Sequence, residues 1–233
     1  MTRAEPEETR PAWRKSVREA MYQAALDEAE RQVEDGAPSF RYRWEHVKAV
    51  HTLALRLAKL TGADEEVVEA AAWLHDVAKE AGSDHPQEGA AFARRFLPET
   101  DFPSEKVEAV ARAIEEHRGL WRDEPLQELA SQVLWDADKL SKLGLTAAFH
   151  WTGLNLTKGD DLTTPLTTQE LIERGRDADW QEKTVSSMHT APAQRAAQAR
   201  LAAFNALWNA LEAELNAADL EAVQEAERDD SRG

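Results

Sequence analysis

Apolar residues recur along this chain at intervals of three and four, and they hardly ever alternate with polar residues. Side chains at that spacing share one face of an α-helix, whereas a β-strand requires a period of two. The pattern therefore predicts an all-α protein. The apolar stripes of the expected helices are Trp13, Val17, Met21 and Ala24; Val47, Val50, Leu53 and Leu57; Val68, Ala71, Ala72 and Leu74; Val107, Val110 and Ile114; Leu126, Leu129, Val133 and Leu140; and Leu201, Phe204, Leu207, Trp208, Leu211 and Leu215.

Capping residues predict where several of these helices begin and end. Asp64 is expected to be the N-cap of the third helix, which should run on to Lys79. Pro86 suits the first turn of a short helix, and Ser104 is expected to cap the helix after it.

The same pattern divides the chain into five stretches. Periodicity is lost between the stripe that ends at Leu140 and the last predicted helix, where Gly, Thr, Asp and Lys predominate. Such a long irregular stretch is typical of a lid or substrate loop. The expected order is an N-terminal helical extension, a helical core, an irregular loop or lid, a C-terminal helix that packs on the core, and a disordered polar tail. These stretches cover residues 1–40, 41–150, 151–190, 191–225 and 226–233, respectively.

Composition narrows the chemistry that the chain can perform. The 233 residues include no cysteine, which excludes disulfides, thiolate metal sites and cysteine nucleophiles. The net charge of −16 disfavours binding to long nucleic acid but allows a small anionic substrate held through a metal ion. No apolar run resembles a signal peptide or a membrane span, so a cytoplasmic protein without a membrane partner is expected. The stripe of the last helix fits either the core or a dimer surface, which leaves monomer and homodimer open.

Four side chains that bind metals well lie on or beside the apolar faces of the predicted helices: His46, His75, Asp76 and Asp136. Any one of them alone fits an ordinary core residue. However, burying a carboxylate costs free energy unless a cation compensates its charge, and all four side chains are expected on or beside inward-facing surfaces. Asp76 follows His75 directly and points about 100° away on a helix, so it reaches only the edge of that face. A nitrogen and oxygen site without sulfur suits Mn, Fe, Co, Ni, Zn or Mg.

Three segments carry these residues: RYRWEHVKAVHTLALRLAKL, AAWLHDVAKE and VLWDADKLSKLG. Together they resemble the HD superfamily of metal-dependent phosphohydrolases, whose ligand order of His, His-Asp and Asp maps onto the same four positions. The DADKL fragment looks most like small bacterial HD proteins that hydrolyse nucleoside triphosphates. The resemblance implies a single HD-type helical bundle with N- and C-terminal helical extensions. It also implies hydrolysis of a nucleotide by metal-activated water, with Mn as the expected metal.

Two further histidines lie between the His-Asp pair and the last aspartate, His85 in DHPQEGA and His117 in EEHRG. In the two-metal members of the superfamily that the chain resembles, additional histidines occupy positions like these. His85 and His117 are therefore expected to hold a second ion, to bind a phosphate or to transfer a proton. The favoured interpretation is a site with one ion and two phosphate-binding histidines.

Charged residues close to the expected ligands are candidates for substrate binding and catalysis. Lys79 would neutralise a phosphate or the leaving group, and Glu80 would orient the attacking water as a base. Both also fit a solvated helix end. Arg43 and Lys139, each about one turn from an expected ligand, would contact phosphate. Relatives that hydrolyse alarmone pyrophosphates carry acidic residues at both position 79 and position 80, so a lysine at the first disfavours that substrate.

Two other functions remain open for the same residues. One is a catalytically silent HD module that senses a nucleotide, although such members usually lose a ligand and none is missing here. The other is a helical scaffold in which the His and Asp side chains pair only with one another. Measurement of bound metal separates the scaffold from both nucleotide-binding functions.

Overall fold

The computed structural model describes residues 11–31, 40–122, 124–149, 167–176, 179–218 and 220. The predicted all-α class is confirmed, because every regular element in these ranges is a helix. None of the helices in these ranges combines the length and the apolarity that a bilayer-crossing segment requires. The α-helices are α1 (Ala12–Arg31), α2 (Phe40–Thr61), α3 (Glu65–Leu74), α4 (His85–Phe96), α5 (Val107–Glu116), α6 (Leu129–Leu140), α7 (Thr168–Arg176), α8 (Asp179–Ser186) and α9 (Ala191–Leu215).

The chain forms two compact units. The first comprises Met1–Ser141 and Ser187–Gln194, and the second comprises Lys142–Ser186 and Arg195–Gly233. In the first unit, α2 packs on α3 and α6, and α4 packs on α5. The stretch expected to be irregular contains α7 and α8 in its described part, whereas the expected disordered tail lies outside the described residues.

Helix α1 was expected as an extension but belongs to the first unit. Its buried stripe is Trp13, Val17, Met21 and Ala25, so the last member is Ala25 rather than the expected Ala24. Trp13 packs edge-on against the ring of Phe102, with ring centroids 4.9 Å apart. The backbone N–H groups of residues 12 and 13 donate to the carboxylate of Asp101 at 3.0 and 2.5 Å, which satisfies two free donors at the helix start. These contacts hold the start of α1 on the segment before α5, and the helix also packs on α2 and α3.

The boundaries of α3 and α5 test three of the capping predictions. The Asp64 cap is confirmed, because its Oδ1 accepts from the N–H groups of Glu66 and Val67 at 3.0 and 3.2 Å. The expected extension of α3 to Lys79 is wrong: α3 ends at Leu74, residues 75–78 form a turn, and Lys79–Asp84 is a 3₁₀ segment. The expected Ser104 cap is also wrong, since this residue begins a 3₁₀ turn and its side chain caps nothing.

Two glycines allow the chain to close around the end of α3. A Cβ at Gly89 of α4 would lie 3.1 Å from Ile114 Cγ2 and 3.5 Å from the carbonyl oxygen of His75, so α4 approaches this turn closely because it carries no side chain there. Gly82 adopts a φ of +60°, a conformation that other residues rarely accept. It lies in the 3₁₀ segment that leads back into α4 at His85.

The second unit has a small core of its own. Its buried residues are Ala148, Ile172, Phe204 and Trp208. Phe204 and Trp208 meet edge-on with ring centroids 5.7 Å apart. A Cβ at Gly175 would lie 2.5 Å from Trp208 Cε2, so α7 can pack on that indole only because position 175 has no side chain.

Candidate active site

Four histidines of the first unit surround one carboxylate, that of Asp76. His46 and His75 place Nε2 at 3.6 and 3.7 Å from Asp76 Oδ2. His85 and His117 place Nε2 at 3.5 and 3.9 Å from Asp76 Oδ1. Residues 75–78 form a turn, and the side chains of both neighbours, His75 and Asp76, reach the same site. One aspartate therefore lies between two pairs of imidazoles.

Hydrogen bonds on the far side of each ring set the tautomer of three of these histidines. In each ring Nδ1 is the bonded atom, and a backbone carbonyl can only accept, so Nδ1 carries the proton and Nε2 presents its lone pair to the site. The three pairs are His75 with the carbonyl of Ala72 at 2.9 Å, His85 with that of Gly82 at 2.6 Å, and His117 with that of Ile114.

Ser141 sets the orientation of the fourth ring. Its hydroxyl donates to the carbonyl of Asp138 at 2.7 Å and lies 3.2 Å from His46 Nδ1. A serine has a single hydroxyl proton, so the same oxygen accepts from Nδ1–H. The lone pair of His46 Nε2 therefore faces the site as well. The sequence pattern did not single out Ser141, which directly follows α6 as an ordinary polar residue.

The last aspartate of the site is Asp138 rather than the predicted Asp136. Asp138 is buried on α6 and places Oδ1 at 3.4 Å from His46 Nε2. Asp136 is fully buried too, but its two oxygens accept the backbone N–H groups of His189 and Thr190, both at 2.8 Å. Because these bonds occupy it just before the start of α9, Asp136 is a structural residue and its assignment as a metal ligand is corrected.

Two cations neutralise Asp76 from outside the ring cluster. Arg43 Nη1 lies 2.5 Å from Oδ2, and Lys79 Nζ lies 3.1 Å from Oδ1. Burial by itself raises the pKa of Asp76, but the positive charges of Lys79 and Arg43 overcome this effect and hold that pKa well below its usual range. Asp76 is therefore ionised across the physiological range and supplies a full negative charge to the site.

The histidines respond to the same environment in the opposite direction. Complete burial lowers the pKa of His75 to about 3, which keeps its ring neutral. Burial also lowers the pKa of His85, and the nearby ammonium of Lys79 adds to that effect. Neutral imidazoles with free Nε2 lone pairs are the form that binds metals or accepts a proton.

Two further predicted residues have other partners in the structure. Lys139 is buried, and its ammonium lies 2.5 Å from Asp138 Oδ2 and 4.2 Å from the ring centroid of Trp135. It therefore holds Asp138 in place, and the expected phosphate contact is corrected. Glu80 is exposed and pairs with Arg31 of α1, on the wall of the cavity beside Asp76. Its assignment as a base stays a prediction.

The donor set fits a divalent ion on the Oδ2 side of Asp76. Nε2 of His46 and Nε2 of His75 face each other at 3.4 Å, with no hydrogen between them because both protons are on Nδ1. Two opposed lone pairs beside a carboxylate repel one another unless a cation lies among them. The ligand atoms of His46, His75 and Asp76 lie within 4.8 Å of one another, and Asp138 adds a second carboxylate next to His46.

The Oδ1 side of Asp76 has the same kind of donors but already holds a cation. Nε2 of His85 and Nε2 of His117 are 3.2 Å apart, and with Asp76 they form a second group of potential ligands. Lys79 Nζ lies 3.2 Å from His85 Nε2, so the ammonium donates to that lone pair. This arrangement favours one metal ion beside a lysine and two histidines, which is the interpretation preferred from the sequence.

Arg43 is itself held by Glu28 of α1, a residue that no sequence pattern singled out. Its Nε and Nη2 donate to the two carboxylate oxygens of Glu28 at 2.9 and 3.2 Å.

The expected result of Glu28→Gln is a roughly tenfold or greater loss of divalent-ion affinity, because outer partners of a metal site are typically worth about 10–100-fold. Glu30→Gln, an exposed change on the same helix, is the matched control. Calorimetric titration with Mn²⁺ measures both, and equal affinities would contradict the expectation.

A cavity of about 440 Å³ opens beside Asp76 and Lys79. Helix α1 forms one wall, with Gln23 and Asp27 among its residues, and α4 contributes Phe92 to another. The volume lies in the range of about 300–1,000 Å³ that small-molecule sites occupy. The cavity is therefore large enough for a small molecule and is lined by both Asp76 and Lys79.

Comparisons with known proteins agree with this geometry. Residues 43–143 match the family model of the HD domain. The chain is similar in structure to a predicted HD superfamily hydrolase from an uncultured Thermotogales bacterium (22% identity, 90% of this chain and 96% of that chain covered, TM-score 0.62). It is also similar to an HD-superfamily hydrolase from Bacillus thuringiensis (20%, 88% and 99%, TM-score 0.60) and to Bacillus subtilis YpgQ in complex with ADP (20%, 86% and 97%, TM-score 0.59). No curated protein matches the chain in sequence.

Proposed function

Because residues 43–143 of this chain form an HD domain, as its motifs predicted, we propose that the protein is a metal-dependent phosphohydrolase that cleaves a phosphoester or phosphoanhydride bond of a nucleotide. The observation that carries the proposal is the convergence of four Nε2 lone pairs on the ionised Asp76, next to the ammonium of Lys79. The structural likeness to YpgQ, which was crystallised with ADP, supports a nucleotide as the substrate.

His46, His75, Asp76 and Asp138 are the residues proposed to hold the ion, with Mn²⁺ as the expected metal. When bound, a divalent ion polarises a phosphoryl oxygen and lowers the pKa of a water molecule toward neutrality. The lowered pKa of His75 keeps its imidazole neutral, and the lowered pKa of Asp76 keeps its carboxylate charged, which are the forms that bind a metal ion. Ser141 fixes the ring of His46, and Lys139 fixes Asp138 through the ion pair described above.

Lys79, His85 and His117 are proposed to bind the phosphate. Lys79 already donates toward Asp76 and His85, so its ammonium is positioned to neutralise the charge that develops on a phosphoryl group. Arg43 is engaged on both sides, by Glu28 and by Asp76, and its proposed contribution is to hold Asp76 rather than to reach a phosphate. No side chain is required as a nucleophile, because water attacks the phosphorus directly.

A catalytically silent nucleotide sensor is the alternative, and the same experiment separates the two functions. Protein stripped with a chelator is reloaded with Mn²⁺, Co²⁺, Ni²⁺ or Mg²⁺ and incubated with nucleoside triphosphates, monophosphates, dinucleotide polyphosphates and cyclic nucleotides. The expected result is metal-dependent release of phosphate or pyrophosphate from one class. Nucleotide binding without product, for every class and every metal, would establish the sensor instead.

Two histidines of α2 provide a matched pair of variants for this assay. His46 lies in the site, whereas His51 Nε2 lies 3.5 Å from Glu69 and takes no part in it. We expect His46→Gln to lower both metal content and turnover at least 100-fold, since a direct ligand is worth more than an outer partner. We expect His51→Gln to keep both. Full turnover in His46→Gln would exclude the proposed ion site.

A further inference from the structure

A second cavity, of about 570 Å³, lies among α1, α2 and α3 and shares no lining residue with the cavity beside Asp76. Its volume also falls in the range of small-molecule sites. The residues that matter for its chemistry are Arg14, Lys15, Arg18, Lys48, His51 and Glu69.

The charge of this cavity is opposite to that of the chain. Four cationic side chains line it beside the single carboxylate of Glu69, in a protein whose net charge is −16. A concave surface lined by one sign of charge concentrates its field and attracts ions of the opposite sign. In a strongly acidic protein, such a concentration of cations is not accounted for by average composition.

Two arginines of the cavity keep donors free for a ligand. Arg14 donates through Nε to Glu69 at 2.7 Å, and its two terminal nitrogens have no hydrogen-bond partner among the residues that the structure describes. Within the described residues, Arg18 has no ion-pair partner at all. A planar guanidinium offers a fork of N–H donors that matches the oxygens of a phosphate.

The two lysines are occupied only at the surface. Lys15 pairs with Glu19 at 3.6 Å within α1, and Lys48 pairs with Glu45 at 2.6 Å within α2. All four side chains are exposed. Ion pairs between exposed side chains are weak, so either ammonium exchanges its partner readily for a more highly charged anion. The cavity can therefore direct up to four cations at one ligand.

The inner end of the cavity is rigid. The ring of His51 lies 4.5 Å from the indole of Trp73, centroid to centroid, and that indole stacks in turn on Trp44 at 5.6 Å. Burial opposes ionisation of Glu69, but His51 and Arg14 lower its pKa, so the carboxylate is charged and holds both partners in place. Arg14 is thus fixed before any ligand binds, which reduces the entropy lost on binding.

We propose that this cavity binds a small phosphorylated anion, at a site separate from the one around Asp76. Its recognition elements are the guanidinium groups of Arg14 and Arg18, with Lys15 and Lys48 at the rim. The proposal does not depend on hydrolysis, because none of these residues belongs to the candidate active site.

The test is calorimetric titration of the full-length, chelator-treated protein with inorganic pyrophosphate as the probe. The matched variants are Arg18→Gln and Arg56→Gln, because both arginines are exposed and have no ion-pair partner among the described residues, and only Arg18 lines the cavity. We expect Arg18→Gln to weaken binding about tenfold, Arg14→Gln at least as much, and Arg56→Gln less than twofold. Circular dichroism and thermal melting establish that each variant is folded.

A second pair of titrations distinguishes this site from the proposed active site. In His85→Gln the cavity is intact, so binding that depends on Arg18 should persist. Raising the salt concentration from 50 to 500 mM should weaken that binding, because exposed cations are screened. The proposal is overturned if Arg18→Gln and Arg14→Gln bind pyrophosphate as the unmodified protein does, if binding is lost only in His85→Gln, or if no binding occurs at millimolar pyrophosphate.

Discussion

Replacing Asp138 with asparagine is expected to remove tight divalent-ion binding together with hydrolysis, whereas the same change at Asp136 is expected to leave the ion in place. The two residues are two positions apart on α6 and both are buried. Asp138 directs an oxygen at His46, while Asp136 accepts two backbone N–H groups. An amide at position 138 loses the charge that the ion requires, and the affinity should fall by more than the roughly 100-fold that outer partners contribute.

Asp136→Asn should instead lower the free energy of unfolding, by about 2–3 kcal/mol, because hydrogen bonds to a charged acceptor are worth about 1.5–3 kcal/mol each and an amide keeps only one acceptor oxygen. Metal content by elemental analysis and denaturant unfolding of the chelated proteins measure the two effects separately. Loss of metal from Asp136→Asn with retention in Asp138→Asn would reverse the assignment and restore the one made from sequence.

Replacing Lys79 with methionine is expected to lower kcat by about 10²–10³-fold, while the ion proposed to lie beside His46 and His75 remains bound. A single preorganised charge or donor at a reacting centre is typically worth this factor. Methionine keeps much of the side-chain length and removes only the ammonium, which lies 3.1 Å from Asp76 and 3.2 Å from His85. Lys59→Met, an exposed change on α2, is the control and should leave kcat unchanged.

The same variant tests how many ions the site holds. Without the ammonium, Asp76 Oδ1, His85 and His117 form a group of ligands with no cation of their own. We expect Lys79→Met to bind two Mn²⁺ ions at millimolar concentration, against one for the unmodified protein, by calorimetric titration. Two ions in the unmodified protein would show that Lys79 moves aside, and would contradict the single-ion site.

Helical periodicity is a local property, and it was sufficient for most of the fold. Because one face of each helix must be buried, the spacing of apolar residues predicted α1 and α3 with their buried stripes, and the short side chain of Asp64 predicted where α3 begins. The spacing of apolar residues did not predict where α3 ends. The α3 pattern continues beyond Leu74, but the helix ends there, at the point where Gly89 of α4 lies close to the backbone carbonyls of Leu74 and His75.

The candidate active site likewise has residues that the sequence predicted and others that it did not. His46, His75 and Asp76 were found from the sequence because polar, metal-binding groups stand out on apolar faces, and the structure brings them within 4.8 Å of one another. The sequence pattern could not distinguish Asp136 from Asp138, because α6 is buried on nearly every side, from Val133 through Leu140. A helix without an exposed face has no periodicity that tells which aspartate faces which neighbour.

The order of residues by itself therefore determined the helical class, the HD motif and the kinds of ligand, since each depends on residue type and on spacing within one or two turns. Only the tertiary structure decided that Asp138 faces the site, that Asp136 accepts from the backbone before α9, and that Glu28 holds Arg43 from α1. These are contacts between residues 15 to 92 positions apart. Hydrogen bonds and ion pairs at such separations depend on how helices pack, which no local pattern encodes.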